Sequence, residues 1–150
     1  MENALRKEVL ATLYTSDINL ENRRCLNTSL TYLIISIFCA FFGAVYEVFS
    51  HEVYSYFMLY AFAFPLVGGT FPFLIMALVK SKKPQAVSRN LYHSGIATLT
   101  LGSIVNGVLE IYGTTNSLMQ FYWLVGTAFV ATGIIAYLLS IVLRKDIDKT

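Results

Sequence analysis

Residues Leu30–Ser50 read LTYLIISIFCAFFGAVYEVFS, a run whose only charged side chain is Glu47. A bilayer core of about 30 Å is crossed by roughly 20 apolar residues in a helix, so this stretch has the length and composition of a membrane span. Working outward, the same reading predicts three more spans, at about 53–79, 91–112 and 118–143. The short turns SHEV and GTTNS close two hairpins, and the basic segment KSKKPQAVSR joins them.

Composition points the same way. Of 150 residues, 56% are hydrophobic and 13% charged, and mean hydropathy is +0.60. An average soluble domain carries about 25% charged residues. This chain lacks the polar side chains to cover a water-facing surface, and a length of one domain argues against a multi-domain enzyme. The expected fold is all-α: a four-helix transmembrane bundle of two tandem helical hairpins over residues 27–150, preceded by an N-terminal segment, 1–26.

All eleven Lys and Arg fall in three groups: Arg6, Lys7, Arg23 and Arg24; Lys80, Lys82, Lys83 and Arg89; Arg144, Lys145 and Lys149. With four spans, all three groups lie on one side, so the positive-inside rule predicts cytoplasmic termini in a plasma membrane. A nucleic-acid surface would interleave its cations with exposed aromatics, which this pattern does not do. The lipid bilayer is the expected partner, together with a homo-oligomer or a larger membrane complex.

No small-residue cleavage site follows the first span, so Leu30–Ser50 is expected to stay in the mature protein. Leu5, Val9 and Leu13 recur at helical spacing, which predicts either an amphipathic helix on the inner leaflet or a frayed tail. Cys25 and Cys39 would lie about 21 Å apart on one helix, so they cannot pair, and there is no CxxC. No cofactor is expected.

Shifting the chain by 63 residues places Glu47 on Glu110, Ala40 on Ser103 and Ala44 on Gly107, a tandem parallel repeat. Ser36, Ala40 and Ala44 form a small-residue ridge in the first span, and Ser103 with Gly107 forms another in the third. Small residues four apart allow close helix approach, so spans one and three are the expected central pair. The second span holds Pro65, Gly68, Gly69 and Pro72, which predict a hinge or unwound stretch there, or a kink that serves packing alone.

Glu47 and Glu110 are the leading candidate site, because an ionisable group within a span is costly to bury. Asn106 shares a face with Glu110, and the three are expected to bind a proton or cation; a snorkelling carboxylate is the plainer alternative. His51 and Glu52 are weak metal candidates, since nothing resembles a recognised zinc spacing. His93 and His51 fall near opposite faces, which excludes bis-histidine haem. No nucleophile–base pair or nucleotide loop is present, so no catalytic residue is assigned.

The stretch FGAVYEVFSHEVYSYFMLYAFAFPLVGG, followed by IATLTLGSIVNGVLEIYGTTN, resembles a group of small bacterial four-span membrane proteins over most of residues 38–135. That resemblance implies a bacterial origin and carries no activity and no functional residue. Three roles stay open: a transporter or channel-like protein using the paired carboxylates, an accessory or scaffold subunit, and a lipid-modifying membrane enzyme.

Overall fold

The computed structural model describes residues 2–50, 55–79 and 85–147. It is all-helical among these residues: α1 (Glu2–Phe49), α2 (Tyr56–Leu59), a π-helical segment (Phe64–Thr70), α3 (Phe71–Val79), α4 (Ala86–Ile111) and α5 (Met119–Ile147). Four stretches are long and apolar enough to cross a membrane: Asn22–Phe49, Tyr56–Val79, Ala86–Ile111 and Met119–Leu143. Large apolar side chains such as Ile34, Phe38, Leu78 and Leu124 face outward, the pattern of a protein whose solvent is hydrocarbon. His51, Glu52 and the first half of the basic segment between the hairpins, 80–84, lie outside the described residues.

The helix ends have local causes. Ser55 caps the second span, its hydroxyl accepting from the Met58 amide. Gly113, at φ +70°, ends α4 in the left-handed conformation. There the Thr114 amide reaches the Leu109 carbonyl and the Gly113 amide reaches that of Glu110, which together satisfy the last turn. The Asn116 side chain then accepts from the Leu118 amide and turns the chain into α5.

Residues 2–26 are helical, and they continue into the first span rather than forming a separate helix. No glycine or proline occurs before Gly43, so nothing in the sequence interrupts a helix of 48 residues. Leu5, Val9 and Leu13 remain exposed on it.

Packing follows sequence order: α1 lies on the second span, the second span on α4, and α4 on α5. No Cα of α1 comes within 8 Å of one in α4, so the second span, not an α1–α4 pair, holds the centre. Met58, 1% exposed, is wedged there between two glycines. A Cβ on Gly43 would sit 3.1 Å from the Met58 carbonyl oxygen, and one on Gly107 would sit 2.8 Å from its amide nitrogen. The α4–α5 seam is built from small residues spaced by seven. Ser88, Gly95 and Gly102 on α4 and Gly126, Gly133 and Ser140 on α5 are all buried. Gly95 meets the Val130 backbone and Gly133 that of Tyr92, each too closely to admit a methyl group.

Candidate functional site

The break in the second span follows from its prolines and its 3₁₀-like start. Pro65 and Pro72 supply no backbone donor, and the Ala61 and Ala63 amides bond three residues back, to Met58 and Tyr60. The Phe71 amide reaches five residues back to Leu66, the π-helical register.

Hydroxyls from both neighbouring helices repair the broken ladder. Ser103 of α4 donates to the Phe57 carbonyl at 2.7 Å, a group passed over when the Ala61 amide turns to Met58. Tyr92 of α4 donates to the Gly68 carbonyl at 2.6 Å. From α1, Ser36 donates to the Phe62 carbonyl and Ser29 to that of Thr70, each at 3.0 Å. Neighbouring hydroxyls are what makes a broken helix tolerable at membrane depth. Trp123 of α5 covers the same span, its ring 5.6 Å from Phe64 and 5.9 Å from Phe57.

Glu110 is tied to the head of this broken span. Ser55 donates from Oγ to Glu110 Oε2 at 2.6 Å, while the same Oγ caps α2. Carboxylate, hydroxyl and Met58 amide thus form one chain from α4 into the second span. Glu47 is half-buried at the end of α1, and its side chain has no hydrogen-bond or ion-pair partner among the described residues. No hydrogen bond joins the Glu47 and Glu110 side chains. Asn106 is half-buried one turn before Glu110.

The small-residue ridges meet the second span instead of each other. Ser36, Ser103 and Gly107 all turn to it, whereas Ala40 and Ala44 are exposed. Thr98 of α4 bonds back to the Ser94 carbonyl of its own helix. Pro65, Gly68 and Gly69 fall inside the π-helical segment, and Pro72 is the second residue of α3. Close packing there rests on Gly69, which faces the Tyr32 ring, and Gly68, which faces Ile96.

A second polar cluster lies at the opposite, basic end and is not evident from spacing. Tyr32 and His93, 61 residues apart, share a 2.6 Å hydrogen bond between the phenol oxygen and Nδ1. Phe73 stacks on both rings, and Tyr92 meets Phe73 edge-on. On the α1 side of this cluster, a groove of about 550 Å³ runs between α1 and α4 past Thr28, Ile35, Pro65 and Ile104. Among the described residues no three His, Cys, Asp or Glu side chains gather in a way that could hold a metal ion. Cys25 and Cys39 are free thiols.

Comparison with protein-family models, curated proteins and solved structures found no match.

Proposed function

We propose that this small integral membrane protein is a transporter or channel-like protein in which Glu110 binds a proton or cation and works on the broken second span. The observation that carries this reading is the Ser55–Glu110 hydrogen bond, made at the head of the one span whose ladder is interrupted. A hydrogen bond to a carboxylate is about twice as strong as a neutral one, so neutralising Glu110 loosens its hold on Ser55. The span it releases is held at four carbonyls by exchangeable hydroxyls, so it has alternative partners available to it. Glu47 is the second carboxylate at that end and Asn106 the polar neighbour, supporting roles in the same step. Broken spans beside ionisable groups are a recurring construction for ion sites in membrane transporters.

The plasma membrane of a bacterium, with cytoplasmic termini, is the proposed setting; the one-sided Lys and Arg and the resemblance to small bacterial four-span proteins support it. An accessory or scaffold role has one observation in its favour. α5 packs mainly on α4 and meets the second span through Trp123, which leaves most of its surface for a partner or for lipid.

Proteoliposomes with an entrapped pH dye decide between the two. Wild-type protein should dissipate an imposed proton gradient faster than protein-free vesicles, and Glu110→Gln should slow that flux by about tenfold or more. Flux no faster than that of protein-free vesicles overturns the transport reading in favour of the accessory one.

A further inference from the structure

On the other side of the aromatic cluster, α3, α4 and α5 border a half-open cavity of about 310 Å³, its walls including Pro72, Phe73, Met76, Gly133 and Ile134. That volume lies at the lower end of the roughly 300–1,000 Å³ typical of small-molecule sites. Its lining is apolar except at one end. There Arg89, on the first turn of α4, contributes the only charged side chain of the wall. The neighbouring hydroxyls are already committed, Ser88 to the Gly133 carbonyl at 2.7 Å and Tyr92 to the Gly68 carbonyl at 2.6 Å.

The Arg89 guanidinium has no ion pair or hydrogen bond with any described residue. No Asp or Glu occurs between Glu52 and Glu110, or between Glu21 and Glu47, whereas Arg23 and Arg24 add positive charge near the start of the first span. The unbonded amides of the first turn of α4 add partial positive charge at the same end. An apolar cleft with a cation at one end that has no partner among the described residues suits a ligand with a hydrocarbon body and an anionic head. Basic pockets between membrane helices bind anionic lipid headgroups on these grounds.

We propose that this cavity is a specific site for an anionic bilayer phospholipid, with one acyl chain between α3, α4 and α5 and the phosphate on Arg89. A bilayer supplies such a molecule laterally, at the depth where the apolar wall and the cation adjoin. A zwitterionic lipid fits less well, because its ammonium would be held beside Arg89 with no carboxylate among the described residues of the wall to receive it. The chain of such a lipid touches α5 and α3 together, and so links the fourth span to the second, which α5 otherwise approaches only through aromatic contacts of Trp123. The site stands apart from Glu110 and does not depend on the transport reading.

Native mass spectrometry of delipidated protein tests it, with phosphatidylglycerol, phosphatidylcholine and palmitate offered separately. One phosphatidylglycerol per chain should be retained, in preference to phosphatidylcholine by about tenfold, the effect of one charge-assisted contact. Arg89→Gln should remove that preference, and Arg89→Lys should keep part of it. Ile134→Trp should expel the lipid by filling the cavity while leaving Arg89 in place. The two substitutions act on opposite ends of the ligand, so one folded variant is sufficient, and the wild-type comparison needs none. Equal retention of the two phospholipids, retention unchanged by Arg89→Gln, or a preference for palmitate would each overturn the assignment.

Discussion

Tyr92 and Gly68, 24 residues apart in the chain, are joined by a 2.6 Å hydrogen bond that stands in for a missing backbone bond. The residue four after Gly68 is Pro72, which has no N–H to offer its carbonyl. The phenol of α4 therefore completes the ladder of the second span. Tyr92→Phe keeps the ring against Phe73 and removes only this donor. It should lower stability by about 1–3 kcal/mol, the cost of leaving the half-buried Gly68 carbonyl without a donor. Ser36→Ala should cost less, because the Phe62 carbonyl keeps the Leu66 amide at 3.1 Å. Thermal unfolding of both variants in one detergent checks the order.

The Met58 wedge separates two residues that look alike in sequence. Gly107→Leu would drive its side chain into the Met58 backbone, whereas Ala40 is exposed. The glycine variant should lose at least about 1–3 kcal/mol to overpacking, and Ala40→Leu should unfold at the wild-type temperature. Equal losses at the two positions would mean that α1 and α4 meet directly along their small residues.

The α4–α5 seam makes its own prediction. Gly95→Ala and Gly133→Ala each place a methyl group against backbone, which cannot turn aside as a side chain can. Because α5 is held mainly by α4, with Trp123 as its contact to the second span, either change should loosen it. Protease cleavage in the turn near Thr115 should then speed up, while α1 and the second span stay packed.

The four spans and the small-residue positions were legible in the sequence because apolar runs and side-chain size are local properties. Which helix each small residue meets is not local. Ser103 and Gly107 were readable as packing positions, yet both serve the second span rather than the first. The seven-residue spacing of Ser88, Gly95 and Gly102 was a usable signal for the seam, matched by Gly126, Gly133 and Ser140 on the other side. Small residues four apart drew the reading toward a different face. Glu110 stood out as a charge within a span, but its partner Ser55 lies 55 residues away beyond a turn, and no spacing rule reaches that far. The same holds for Tyr32 and His93.

Orientation is testable in intact cells. The one-sided Lys and Arg predict that Thr115→Cys reacts with an impermeant thiol reagent and Lys83→Cys does not. Cys25 and Cys39 are buried and should contribute little background. The opposite labelling would invert the bundle.

The central claim is that the state of Glu110 sets the position of the second span. Electron–electron distance measurements test it most directly, between spin labels at Tyr56 on the head of that span and Leu139 on α5, both exposed, with Cys25 and Cys39 replaced by Ala. Wild-type protein should give one narrow distribution. Ser55→Ala, which removes the hydrogen bond, and Glu110→Gln, which removes its charge, should both broaden or shift it, the serine variant at least as much. Three superimposable narrow distributions would contradict the account, because the carboxylate would then have no hold on the span it is said to move.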